Sequence, residues 1–262
     1  MAIVLYESSE HVCMAFTNLV DESHGEAVQS NQFLVVNHGH GALIDPGGPL
    51  TYSELYMAIS RYFPPKQLDY VLASHADPDI VASVGRWLTS SDSRVLISQV
   101  WARFLPHFSQ AGKMVGRVVG IPDKGAVVPL GASTLLAVPA HFLHSEGNFH
   151  FYDPISKILF SGDLGAAMTT SAEAGAVVDD FDAHVPRMLP FHRRYMSGNR
   201  ACRLWAAMAR TMDIEWIVPQ HGPSFRGKPM VARFIDWVDQ LQCGLDLLDA
   251  SHYRVPTETM RG

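Results

Sequence analysis

Four times along this 262-residue chain a short apolar run of strand-like composition gives way to a histidine or an aspartate near a turn. YVLA (70–73) runs into Ser74-His75-Ala76-Asp77-Pro78-Asp79, and TLLAV (134–138) leads towards His144. ILF (158–160) leads to Ser161-Gly162-Asp163, and EWIVP (215–219) to Gln220-His221-Gly222-Pro223. In the first of these, three potential metal ligands stand at alternate positions on a loop leaving a strand end, where they can converge on a small volume. Pro78 stiffens that loop and lowers the entropy lost in fixing ligands. Taken singly, each has an ordinary reading: Asp-Pro-Asp is also a helix-capping turn, His144 a loop histidine, and Asp163 and His221 turn residues. Their recurrence in one context favours a shared role. Together His75, Asp77, Asp79, His144, Asp163 and His221 offer three imidazoles and three carboxylates, enough for two cations if one carboxylate bridges.

The rest of the chain predicts layered α/β architecture. Further strands are expected at FLVVN (33–37), ALID (42–45) and RVLIS (94–98). Helices are expected where apolar residues recur every three or four positions, at 50–63, 79–88, 201–212 and 230–250. The stretch from Leu164 to Ser197 breaks the rhythm with small residues, acids and Pro186 and Pro190. It reads as a long connection beside the site with at most one helical turn, and loops of that length commonly serve as lids. We expect one domain over residues 1–262, with 250–262 a loosely held tail.

Composition narrows the function classes. A formal charge of -6, with thirteen histidines uncounted, argues against nucleic acid, which needs clustered Lys and Arg. No basic segment leads into an apolar run at the start and no run of eighteen apolar residues occurs, so no membrane association and a cytoplasmic location are expected. Cys13, Cys202 and Cys243 are odd in number and far apart, which suits small buried hydrophobes better than a disulfide framework.

The series SHADPD, LHSEGNFHFYD, SGD and PQHG, in this order and spacing, resembles the metallo-β-lactamase superfamily over nearly the whole chain, and 31–48 is similar to its opening hairpin. The resemblance implies an αββα sandwich with metals at the loop edge of two sheets, and makes Asp45 a structural residue near the site. An acid at Asp77, where hydrolytic dizinc members carry histidine, resembles the flavodiiron and oxygen-binding diiron branch. By that correspondence His75, Asp77 and His144 hold one metal, Asp79 and His221 the other, and Asp163 bridges. Exchanging an imidazole for a carboxylate adds hard anionic oxygen, which favours iron or manganese over zinc.

Two positions depart from the branch. Asp77 is one methylene shorter than the expected glutamate, and Ile80 replaces a histidine of the second metal. The gap at Ile80 leaves three outcomes: water or a small ligand such as dioxygen fills it, the second metal is weakly held, or His141, His184 or His192 substitutes. The resemblance further implies two iron ions, with zinc or manganese as alternatives, and no flavin bound by this chain. It implies that dioxygen, nitric oxide or peroxide is bound or reduced, with Tyr195 hydrogen-bonding the ligand. Electrons would come from an external donor, or the chain would act as a sensor read by a signalling partner; a homodimer also follows by resemblance. The alternative is a zinc or manganese hydrolase acting on an ester, thioester or lactone.

Overall fold

The computed structural model describes residues 1–20, 28–108, 112, 114–168, 173 and 175–257. One sheet of seven strands runs in chain order: β1 (Ala2–Glu7), β2 (His11–Phe16), β3 (Gln32–Asn37), β4 (His40–Ile44), β5 (Leu68–Leu72), β6 (Arg94–Ser98) and β7 (Val118–Ile121). The second, of six, contains β8 (Ala126–Leu130), β9 (Ser133–Pro139), β10 (Phe149–Asp153), β11 (Ile158–Phe160), β12 (Trp216–Val218) and β13 (Phe225–Arg226), in the order β13-β12-β11-β10-β9-β8. Between the strands lie α1 (Tyr52–Ile59), α2 (Pro78–Val81), α3 (Val84–Ser90), α4 (Gln99–Ala102), α5 (Phe181–Tyr195), α6 (Asn199–Ala209) and α7 (Lys228–Gln240).

Three apolar layers hold these elements together. Phe33, Val35, Ile44 and Leu72 of the first sheet meet Leu135, Phe149, Phe151 and Phe160 of the second, with the Phe33 and Phe160 rings 4.9 Å apart. Leu34, Leu43, Val71 and Val95 point to the opposite face of the first sheet and pack with Leu55, Ile59, Val84 and Trp87 of α1 and α3. The outer face of the second sheet, with Leu159 and Ile217, is covered by Met188, Trp205, Phe234 and Val238 of α5, α6 and α7. This explains why FLVVN is apolar throughout: alternate residues serve two buried faces, as in a sheet covered on both sides. The architecture is therefore helix, sheet, sheet, helix, as the resemblance implies. No helix among the described residues is long and apolar enough to cross a membrane.

The structure corrects the expectation for 164–197. Residues 181–195 form the fifteen-residue helix α5, whose cap, Asp180, accepts the backbone N–H groups of Asp182 and Ala183. Pro186 and Pro190 lie inside it, and each removes one helical hydrogen bond, which made the segment look like a loop. The helix persists because Phe181, His184, Met188 and His192, at helical spacing, are buried against the second sheet and α7. Tertiary burial outweighs propensity here. Of the remaining stretch, residues 169–172 and 174 lie outside the described residues.

Two other helices are shorter than expected. The stretch from 79 to 88 divides into α2 and α3 where the Ser83 hydroxyl donates to the Gly47 carbonyl. The last helix ends at Gln240, and a short 3-10 turn follows at Gly244–Leu247. The strands β1, β2, β7, β8 and β13 are absent from the expectation; all but the interior β2 are edge strands, and outward residues among them, Val4, Val119 and Val127, are exposed. Their composition alone does not separate them from loops. Residues 251–257 of the expected tail are exposed, and 258–262 lie outside the described residues.

Candidate metal centre

The six residues singled out in the sequence come together where four chain segments leave the carboxyl ends of β5, β9, β11 and β12. Backbone bonds clip these segments to one another. Phe149 N–H donates to Ser74 O (2.9 Å), Ser161 N–H to Val218 O (3.0 Å), and Gln220 N–H to Gly162 O (2.7 Å). Gly162 makes the turn that delivers Asp163: its φ is +52°, and a β-carbon there would sit 3.0 Å from Ser74 Oγ. A cis peptide bond joins Leu143 to His144, and Asn148 Nδ2 donates to the Leu143 carbonyl.

Asp163 lies between two groups of residues, one at each carboxylate oxygen. Oδ2 is 3.8 Å from His75 Nε2 and 3.1 Å from His144 Nε2. Asp77 closes this group through one oxygen, its Oδ2 being 3.7 Å from His75 Nε2 and 3.5 Å from His144 Nε2. On the other side Oδ1 of Asp163 is 3.5 Å from His221 Nε2, which is also 3.3 Å from Asp79 Oδ2. His75 and Asp163 form a buried floor, while Asp77 and Asp79 stand half-exposed at the rim.

The neighbours of these groups fix which atoms face inward. Nδ1–H of His221 donates to the Gln29 carbonyl (2.8 Å), which leaves Nε2 as the free lone pair. Nδ1 of His75 is hydrogen-bonded to Ser74 Oγ (2.9 Å), again turning Nε2 into the centre. Such orienting bonds are the usual support of metal-binding imidazoles. His75 Nε2 and Asp163 Oδ1 are buried and lack a hydrogen-bond partner among the described residues. Buried polar atoms are rarely left so, and a cation between them answers both. His75, Asp77, His144 and Asp163 bring one ligand atom each within 4.8 Å of one another, so the residues present fit a bound metal, with His221 and Asp79 beside the second oxygen of Asp163.

Electrostatics without a cation give the same picture. Burial alone would push His75 and His221 down, but Asp163, with Asp77 at His75 and Asp79 at His221, lifts each to about 9. Burial likewise opposes a charge on Asp163, yet His75, His221 and His144 hold its carboxyl well below the ordinary carboxylate range. Both histidines are raised above the unfolded value near 6.5, so in metal-free protein their contribution to stability is complete below that pH and is lost as pH rises towards 9. A metal must displace these protons. Metal affinity should accordingly rise with pH up to about 9, and calorimetry near pH 7 in buffers of different ionisation enthalpy should find about two protons released.

Other candidate residues fall into place around the centre. The Tyr195 ring meets His144 edge-on at 5.7 Å and stacks on Phe191 at 4.7 Å, with the residue itself exposed at the mouth. Asp45 accepts the Ser74 N–H (2.8 Å) and so steadies the His75 loop; burial pushes its carboxyl up to about 6. Ile80 is wholly buried in the apolar cluster under α1 to α3.

None of the three proposed substitute histidines joins the cluster. Nε2–H of His141 donates to the Asp123 carbonyl (2.7 Å), and His184 packs on Phe225 at 5.8 Å. His192 uses both nitrogens: Nδ1–H donates to Met188 O (2.8 Å) and Nε2 accepts the Gly165 N–H (2.9 Å). Burial holds it down at about 4, so it is a neutral clamp from α5 onto the loop of Asp163. Gln220, not picked out from the sequence, donates from Nε2 to Asp79 Oδ2 (3.0 Å). Only its place beside His221 could have signalled it.

A family model described as ODP family beta lactamase matches residues 28–222, more than half of the chain. The chain belongs to the ODP beta-lactamase family. Among solved structures, the apo state of the chemotaxis sensor ODP from T. denticola is 36% identical, with a TM-score of 0.83, covering 94% of this chain and 97% of that one. A structure described as the peroxy diiron species of chemotaxis sensor ODP aligns with the same figures. The rubredoxin oxygen:oxidoreductase of Desulfovibrio gigas shares the fold at 16% identity and a TM-score of 0.73, over 91% of this chain and 62% of that one. Two curated relatives are longer. An uncharacterised protein of Methanocaldococcus jannaschii is 23% identical over 79% of this chain and 52% of its own length. A putative diflavin flavoprotein of Synechocystis is 26% identical over 79% of this chain and 34% of its own length. The chain thus spans about half, or a third, of the curated relatives it matches.

Proposed function

We propose that this ODP-family chain holds two iron ions and binds dioxygen, and that α5 reports the state of the site to a partner. The observation that carries the metal reading is the division of labour at Asp163. One oxygen faces His75, Asp77 and His144, and the other faces His221 with Asp79 beside it. Three carboxylates against three imidazoles favour iron or manganese over zinc, and the diiron species described for the chemotaxis sensor ODP supports iron. Asp77 presents one oxygen to its neighbours, in keeping with its short side chain. Among the described residues the second side offers Asp79, Asp163 and His221, and Ile80 is packed in the core. That half is therefore the one with room for a small ligand. When bound, two ferrous ions would supply the electrons that a diatomic ligand accepts.

The protein's own groups define what happens around that ligand. Tyr195, whose ring meets His144 edge-on, would donate a hydrogen bond to an anionic oxygen species. Helix α5 touches the first group through the Tyr195 ring against His144, and the loop of the shared Asp163 through His192, which holds Gly165. A shift at either loop thus bears on one helix, which suits sensing. The chemotaxis sensor ODP supports this reading by its name, and an external electron donor would extend it to turnover.

Ferrous protein mixed with dioxygen should develop a near-ultraviolet or visible band that persists. Tyr195→Phe should keep its iron yet shorten the lifetime of that band roughly tenfold, the value of one hydrogen bond to a charged acceptor. Zinc in place of iron, together with turnover of a chromogenic lactone, would instead identify a hydrolase.

A further inference from the structure

We propose that Cys202 and Cys243 form a dithiol that hydrogen peroxide converts into an intramolecular disulfide, joining α6 to the segment that follows α7. The two residues are 41 positions apart, and their sulfurs lie 3.8 Å from each other, both buried and both free. Cys202 belongs to the inward stripe of α6 with Trp205, Ala206 and Ala209. Cys243 lies in the break after α7, at the start of the 3-10 turn Gly244–Leu247. A disulfide of about 2 Å between the sulfurs requires an approach of about 1.8 Å from the 3.8 Å seen.

The surroundings distinguish the two thiols. The Cys243 sulfur accepts the backbone N–H of Asp246 and neighbours the Cys202 thiol. Its contact with Cys202 holds Cys243 below the ordinary thiol range, whereas contact with Cys243 and burial push Cys202 up. The cover over Cys243 is thin: Gln242, Leu245 and Asp246 are exposed, and short surface turns open at low cost.

In the reaction the Cys243 thiolate attacks one peroxide oxygen and the O–O bond breaks, giving Cys243 sulfenic acid and, after protonation, one water. The Cys202 sulfur then attacks the sulfenic sulfur. The S–S bond forms, the S–O bond breaks, and the Cys202 proton leaves with hydroxide as a second water. Two electrons pass from the dithiol to one peroxide molecule.

The segment that would be locked is in contact with the metal-site loops. Leu245 N–H donates to Ser197 O (2.8 Å), and Ser197 N–H donates to Phe142 O (3.2 Å), two residues before His144. Gly244, at φ +48°, packs against the carbonyls of Met196 and Ser197, directly after α5.

The inference does not depend on the metal reading, and the test removes metal from the question. The whole chain is treated with equimolar hydrogen peroxide in the presence of a chelator, then denatured and its thiols counted. Free thiols should fall from three to one, a Cys202–Cys243 peptide should appear in a non-reducing digest, and dithiothreitol should restore all three. Cys13 should stay reduced, because burial and Asp153 push its thiol well above the ordinary range. Cys202→Ser should let a dimedone adduct accumulate on Cys243, which also tests the order of attack. Retention of three thiols by the unmodified chain, or oxidation without the crosslinked peptide, would overturn the proposal.

Discussion

Asp163→Asn should cost the protein both metals, lowering iron from two per chain to near zero after chelator washing. No other single residue of the centre faces both groups: its Oδ2 meets His75 and His144, and its Oδ1 meets His221. An amide offers one neutral oxygen where the carboxylate offers two anionic ones, so each half loses a ligand atom or a share of the negative charge. The affinity loss should exceed the roughly tenfold to hundredfold seen when only an outer partner of a metal ligand is removed. Unfolding is not the expected cause. Removing one partner of a buried ion pair costs about 3–5 kcal/mol, but here His75 and His221 can shed their protons once the anion that raises them is gone. Circular dichroism at pH 7 should therefore remain that of the unmodified chain. Loss of one metal only would contradict the bridging role.

His221→Ala should remove one metal and leave the other. The imidazole faces Asp79 and Asp163 Oδ1 and no member of the first group. With Ile80 unable to coordinate, Asp79 and Asp163 are what remains on that side among the described residues, too few for retention. His75, Asp77, His144 and Asp163 Oδ2 are untouched. Metal analysis should give one iron per chain, and the dioxygen-dependent band should vanish if, as proposed, dioxygen is bound by the pair of ions. Two retained irons would strike His221 from the ligand set.

The centre was more legible than the scaffold around it. The candidate ligands here follow strand ends at turns, so His75, Asp77, Asp79, Asp163 and His221 each stand beside a marker in sequence: an apolar run, a Gly or a Pro. The strands with two buried faces, such as β3, announced themselves as unbroken apolar runs. Helix α5 did not, because Pro186 and Pro190 are local signals against a helix whose support is wholly tertiary, from burial of Phe181, His184, Met188 and His192. Gln220 and His192 were obscure for a related reason: their hydrogen bonds to Asp79 and Gly165 span 141 and 27 positions. The neighbourhood of Cys202 and Cys243 was hidden in the same way, since it arises only when α6 meets the break after α7.

The most direct test is anomalous diffraction at the iron edge from crystals of protein produced with iron. The account predicts two peaks per chain, one enclosed by His75, Asp77 and His144, the other against Asp79 and His221, with Asp163 between them. A single peak, peaks elsewhere, or signal only at the zinc edge would contradict it.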